Sequence, residues 1–176
     1  RQCHDWAKGE TPQWAVEYCE KWYGPKKKNE PPHFAYAIEA GRQFKPEGEK
    51  LLVETARRKD LSGMVRASVL LLLGRYLTDD ACSAWAMIRE GLEDPDGLVR
   101  MASARALTDI AAARVRGNVR EEDADRLLQD DRLLRLLSDP LRAVRFEAVR
   151  VVSAVPRERL NPKYHKAFDA ALAEYI

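Results

Sequence analysis

Apolar residues recur along most of the chain at the three- and four-residue spacing of amphipathic helices. No segment alternates convincingly between apolar and polar residues with the period of two that is typical of a half-buried strand. Turn-forming pairs such as Gly24-Pro25 and Asn161-Pro162 separate the periodic segments. The pattern therefore predicts an all-α protein. The predicted helices cover residues 11–23, 33–44, 46–59, 67–76, 80–92, 101–113, 121–137, 146–155 and 161–176.

Three of these helices follow a common motif, in which an aspartate precedes a valine by five residues and an arginine by six. The motif begins at Asp60, Asp94 and Asp139, at intervals of 34 and 45 residues that are typical of helical-hairpin repeats. The aspartate is placed to accept backbone N–H bonds where a helix begins, and the arginine can reach the aspartate of its own or of an adjacent repeat. We therefore predict a ladder of ion pairs between stacked repeats. Its members are Asp60, Arg66, Asp94, Arg100, Asp139 and Arg145.

The motif resembles that of the HEAT repeat family, an Asp-Pro pair followed after three residues by Val-Arg, and residues 94–100 and 139–148 match it most closely. The resemblance covers residues 46–155, with departures at Leu61, Val69 and Ser103. It implies a right-handed α-solenoid of HEAT-like (armadillo-type) helical hairpins. The expected organisation is an N-terminal capping hairpin at 11–44, three HEAT-like repeats at 45–160 and a C-terminal capping helix at 161–176.

Charge is balanced overall but is distributed unevenly between the predicted helices. The net charge of +2 excludes a protein that binds nucleic acid through a large excess of positive charge. Each predicted hairpin has a first helix and a second helix, and the second helix is the one that follows the motif. The predicted first helices at 78–94 and 121–139 are acidic, whereas the segments that contain the second helices are net positive. If the second helices line the concave side of a solenoid, that side is basic; an equally open alternative is that the charges only balance neighbouring hairpins. The candidate basic residues are Arg75, Arg105, Arg142 and Arg150.

The chain opens with a stretch, Arg1 to His4, that ends in a Cys-His pair. A cysteine directly before Arg1 would complete the Cys-x-x-Cys-His pattern of c-type haem attachment, in which two thiols bind the haem vinyl groups and the histidine binds the iron. An incidental Cys-His pair is the alternative. Two further cysteines, Cys19 and Cys82, form no Cys-x-x-Cys pair, so the sequence predicts neither a zinc site nor a disulfide scaffold.

Several segments are similar to a family of bacterial multihaem c-type cytochromes, in which the last haem-attachment motif leads into a helix ending in Trp-Tyr-Gly and then into HEAT-like repeats. The resemblance implies that residues 1–10 are the remnant of a haem-attachment segment, with Cys3 as the second thioether cysteine and His4 as the proximal iron ligand. It implies haem c in a longer, periplasmic or otherwise extracytoplasmic protein, and no haem in this fragment because the first cysteine is missing. The similar segments are 4–5, 14–17, 20–25, 33–35, 40–42, 65–67 and 168–176.

The sequence contains no arrangement of residues that indicates catalysis, since it lacks a Gly-rich phosphate loop, a His-Glu-x-x-His motif and a supported catalytic triad. The apolar stretch 69–73 is far too short to span a bilayer, so no membrane insertion is expected. We therefore expect a non-catalytic scaffold domain that docks a protein partner, through an acidic surface of that partner or through the upstream haem domain, without a small-molecule substrate. The alternative is a nucleic-acid-binding protein of the HEAT-like DNA glycosylase type, which the near-zero net charge disfavours.

Overall fold

The computed structural model of the chain describes residues 11–24, 32–77, 82–117 and 120–176. Within these ranges the chain forms α-helices and short 3-10 helices but no strand, which confirms the all-α prediction. The α-helices are α1 (Pro12–Tyr23), α2 (Phe34–Arg42), α3 (Gly48–Ala56), α4 (Gly63–Leu73), α5 (Ser83–Gly91), α6 (Gly97–Arg105), α7 (Thr108–Val115), α8 (Glu121–Leu128), α9 (Asp131–Arg135), α10 (Arg142–Val152) and α11 (His165–Tyr175). The 3-10 helices are Gly74–Tyr76, Leu136–Ser138, Arg157–Arg159 and Pro162–Tyr164.

Helix α1 belongs to one compact unit, and α2 to α11 belong to another. Thr11 caps α1 by accepting a hydrogen bond from the backbone N–H of Trp14. Three aromatic rings at four-residue spacing share one face of α1: the ring centroids of Trp14 and Tyr18 are 4.5 Å apart, and those of Tyr18 and Trp22 are 5.6 Å apart. The capping hairpin expected over 11–44 stays a prediction, because its two helices lie in different units.

The second unit is built on α4, α6 and α10, the helices that follow the repeat motif. Helix α6 packs against both α4 and α10, while α3 packs on α4 and α5 packs on α6. In α10, Val144, Ala148 and Val151 are fully buried and recur at the spacing of one helical face. Small residues on these faces allow the helices to pack closely. The core of the unit lies between α4, α6 and α10 and the helices that pack on them. Leucines at 133, 134, 136 and 137 bury a further apolar surface against it.

The helix predicted over 121–137 is divided into α8 and α9. The division occurs because Asp130 starts a new helix, by accepting a hydrogen bond of 2.9 Å from the backbone N–H of Arg132. The apolar periodicity continues through both helices, so periodicity alone gave no sign of the division.

The helix predicted over 101–113 is also interrupted, between the end of α6 at Arg105 and the start of α7 at Thr108. The backbone of Ala106 in this break lies against Gly74, so closely that a Cβ on Gly74 would meet the Ala106 carbonyl oxygen. The break therefore coincides with a backbone contact between two repeats, which no local sequence signal describes.

Candidate interaction surface

The aspartates of the second and third motifs each fix a tight turn in front of a helix. Through its Oδ1 atom, Asp94 accepts a hydrogen bond from the backbone N–H of Asp96, and Asp139 accepts one from Leu141, both at 2.9 Å. Helix α6 is capped by Asp96 itself, which accepts a bond of 2.9 Å from the N–H of Leu98. The motif aspartates thus hold the turns that precede the helices, where the sequence had placed them as direct caps.

The other side of each carboxylate faces the arginine of the preceding repeat. Arg66 pairs with Asp94, and Arg100 pairs with Asp139 through Nε–Oδ2 (2.7 Å) and Nη2–Oδ1 (3.1 Å). The Nη1 atom of Arg100 donates to the carbonyl oxygens of Asp94 and Pro95 in its own turn, at 2.9 and 3.1 Å. The hydrogen bonds to Asp139 raise the pKa of Arg100 above its ordinary value. Arg100 therefore joins the turn of its own repeat to the turn of the next.

The series of pairs differs at its two ends. Asp60 pairs with Arg58, two residues before it, with Nη2–Oδ2 at 2.9 Å. Arg145 binds Glu174 of α11 through Nε–Oε2 (2.8 Å) and Nη2–Oε1 (2.6 Å), while its Nη1 donates to the carbonyl oxygen of Asp139 (2.7 Å). The hydrogen bonds from Arg145 lower the pKa of the Glu174 carboxyl. Glu174 thus binds Arg145 in the manner in which Asp139 binds Arg100.

The acidic first helices are connected to one another by arginines of the same layer. Glu93, just after α5, lies 2.9 Å from Arg132 and 2.7 Å from Arg135 of α9. Arg89 of α5 pairs with Asp130 at 2.8 Å. Arginines of neighbouring first helices therefore balance part of the negative charge that the sequence assigns to these helices.

The four arginines predicted to form a basic face occupy different surroundings. Arg142 lies at the start of α10 and pairs with Glu174, with Nε–Oε1 at 3.3 Å. The guanidinium carbon of Arg75 lies 4.7 Å from the ring centroid of Phe44. Arg105 and Arg150, in contrast, line the same groove. The structure thus brings together two of the four predicted residues.

Two adjoining grooves meet at Arg150 and Thr108, which line both of them. One groove, of about 190 Å³, lies at the carboxyl ends of α4 and α6. The other, of about 330 Å³, lies between α7 and α10. The first is also lined by Leu71, Arg105 and Asp109, and the second by Ala111, Ala112, Val115, Arg116 and Ala154.

A carboxylate lies between Arg105 and Arg150. Glu147 accepts hydrogen bonds through Oε2 from the Nη2 (2.6 Å) and Nε (3.0 Å) atoms of Arg150, and its Oε1 lies 3.8 Å from Nη1 of Arg105. Arg150 also donates from Nη2 to Oγ1 of Thr108, at 3.1 Å. Sequence analysis missed Glu147 and Thr108. The three-residue spacing of Glu147 and Arg150 on one helix could have indicated the first; the break before α7 that positions Thr108 could not have been predicted.

Cys3 and His4, the predicted haem-attachment residues, lie outside the residues that the structure describes. Over the described residues, no group of three or more His, Cys, Asp or Glu side chains is arranged to hold a metal ion. In the same part of the chain, every helix is too short or too polar to cross a membrane. No family model, no curated protein and no solved structure matches the chain.

Proposed function

We propose that the chain is a non-catalytic interaction domain, folded as a right-handed α-solenoid of HEAT-like hairpins. The observation that carries this proposal is an arginine link that α4, α6 and α10 each make to a later element of the chain. Arg66, Arg100 and Arg145 each bind a carboxylate of the element that follows, always in the same direction along the chain. Links of this kind between neighbouring units are expected of stacked helical repeats, in which each repeat contacts only its neighbours, and such stacks offer an extended surface to partners.

The segments that contain the motif and its helix also expose apolar side chains. Met64 and Leu71 of α4, Leu98 of α6 and Leu141 just before α10 are all exposed. Apolar side chains that recur on neighbouring helices are typical of a surface that binds another protein. The partner proposed here is a protein with an acidic surface, or the upstream haem domain of the same polypeptide.

A selection of random peptides displayed on phage tests the interaction function directly. We expect specific peptides to be enriched and, in hydrogen-exchange mass spectrometry, to protect α4, α6 and α10 while α3, α5 and α8 are unchanged. The two groups of helices serve as internal controls for one another, since both belong to the same folded unit. The proposal fails if no peptide is enriched over an unrelated protein, or if protection is confined to α3, α5 and α8.

The haem-attachment hypothesis is a separate part of the proposal, and it places the chain in an extracytoplasmic cytochrome. It is supported by the Cys3-His4 pair and by the resemblance of the following segments to multihaem c-type cytochromes. It assigns the second thioether bond to Cys3 and the iron to His4.

Addition of one cysteine directly before Arg1 tests this hypothesis. When that chain is exported in a bacterium that matures c-type cytochromes, we expect a covalently bound haem that persists on a denaturing gel and shows the absorption of a c-type cytochrome. The same chain carrying Cys3→Ser is the control, because it removes the assigned second thioether bond. A chain with both cysteines that stays colourless in such a strain would show that residues 1–4 are not a haem-attachment remnant.

A further inference from the structure

The two grooves at the carboxyl ends of the second helices form one continuous site with an apolar part and a charged part. The larger groove has a floor of short side chains, Ala111, Ala112 and Ala154, which leave open the space between α7 and α10. This space exists because the chain breaks after α6, and α10 packs mainly along α6 and only slightly on α7. A volume of about 330 Å³ is within the range of about 300–1,000 Å³ that is usual for ligand pockets.

Charged side chains are spread over the two grooves, and arginines outnumber acids among them. Arg150 lines both grooves, Arg105 and Asp109 line the smaller one, and Arg116 lines the larger one. Glu147 lies beside them, against Arg150 and Arg105. Glu147 is shared between two guanidinium groups, since it is hydrogen-bonded to Arg150 and lies 3.8 Å from Arg105. The Arg105 side chain is 55% exposed, so its donors face solvent at the edge of the groove. The exposed Arg105 donors are therefore accessible from solvent, whereas those of Arg150 are held by Glu147 and Thr108.

We infer that this site binds a protein segment in which carboxylate side chains alternate with aliphatic ones. The carboxylates bind Arg105 and Arg150, and an aliphatic side chain enters the alanine-lined groove next to Val115. This inference rests on the proposed interaction function and specifies the partner's chemistry. The excess of arginine around the grooves favours an acidic occupant. The apolar lining of the larger groove favours a peptide over a nucleic acid. Among the described residues that line the two grooves, none is aromatic, whereas single-stranded nucleic acids are bound largely by stacking on aromatic rings.

Glu147 has a specific role in this inference: it occupies the arginines in the absence of a partner and competes with the incoming carboxylate. Its side chain lies in the position where it neutralises Arg150 and partly neutralises Arg105. Removal of its charge frees both guanidinium groups for the partner. Neutralising an acidic residue in a binding site would then strengthen binding, which a purely structural role of Glu147 does not predict.

The test uses a short fluorescein-labelled peptide in which Asp and Glu alternate with Leu, and measures its binding by fluorescence anisotropy. Control peptides replace the acids with Asn and Gln, or the leucines with Ser. We expect the acidic leucine peptide to bind the tightest. Arg105→Gln should weaken its binding about threefold to tenfold, and Ala112→Trp, which fills the apolar groove, about tenfold or more. Glu147→Gln should tighten the binding several-fold.

Arg126→Gln is the matched control, because the Arg126 side chain on α8 is 58% exposed and lies 3.5 Å from the Asp123 carboxylate. It should leave the affinity unchanged, and circular dichroism melting checks that every variant is folded. The inference is overturned if Arg105→Gln and Arg126→Gln weaken binding equally, if Glu147→Gln does not tighten it, or if an oligothymidylate competes as well as the peptide. Phage-selected peptides without acidic residues, bound to the surface of α4, α6 and α10, would overturn this inference and leave the interaction function standing.

Discussion

Replacement of Asp139 by alanine is expected to lower the free energy of unfolding by about 3–5 kcal/mol. The Asp139 side chain is 5% exposed and that of Arg100 is 14% exposed, so the substitution leaves a poorly solvated guanidinium without its carboxylate. It also removes the acceptor of the Leu141 N–H group, which holds the turn before α10. Urea denaturation followed by circular dichroism measures the loss.

Asp60→Ala is the matched control, since it is the same substitution at the same position of the motif. The Asp60 side chain is 66% exposed and its partner is the nearby Arg58, so the midpoint of unfolding should barely move. The double variant Arg100→Met with Asp139→Leu should recover the part of the loss that comes from the unpaired guanidinium, because apolar side chains of similar volume replace a buried ion pair. It should not recover the part that comes from the lost acceptor of the Leu141 N–H group. Equal losses at Asp60 and Asp139 would contradict an interior position for the Arg100–Asp139 pair.

The parts of the fold that the sequence predicted are those set by short-range signals. The repeated Asp-to-Arg spacing located α4, α6 and α10, because an aspartate precedes each of these helices. Val99 and Val144 enter the core as the pattern predicts, whereas Val65 of the first motif is only half-buried. The sequence left open whether the arginine of this motif meets the aspartate of its own or of an adjacent repeat. Arg66 and Arg100 bind the aspartate of the following motif, and Arg100 also donates to carbonyl oxygens of its own turn.

The remaining features depend on contacts between distant residues. Glu174 binds Arg145 without any repeat motif around it, so only the packing of α11 on α10 reveals the pair. The groove between α7 and α10 likewise depends on the break after Arg105 and on alanines that leave space unfilled. A pattern of apolar positions records which side chains are buried, but it does not record the volume that remains between them.

Gly74→Ala is expected to destabilise the protein by about 2–3 kcal/mol for reasons of space alone. Gly74 has φ −53° and ψ −28°, a helical conformation that alanine adopts readily, so the backbone angles carry no penalty. A Cβ at this position would meet the Ala106 carbonyl oxygen and would lie 3.0 Å from the Cα and the carbonyl carbon of Ala106. Since backbone atoms cannot rotate away, α4 and the break between α6 and α7 must move apart. Urea denaturation measures the cost, and hydrogen exchange should rise first in α6 and α7.

Gly41→Ala is the matched comparison, because its added Cβ meets a side chain instead of a backbone. The nearest atom there is Cδ1 of Leu52 at 2.8 Å, and a leucine side chain can shift by a few tenths of an ångström. Alanine is also favoured over glycine within a helix by about 1 kcal/mol, so this variant should be close to the original protein in stability. The difference between the two variants isolates the backbone contact between Gly74 and Ala106. If both unfold at the same urea concentration, the backbone of Ala106 accommodates a Cβ on Gly74, and the close approach of Gly74 to the break between α6 and α7 does not limit the stability of the fold.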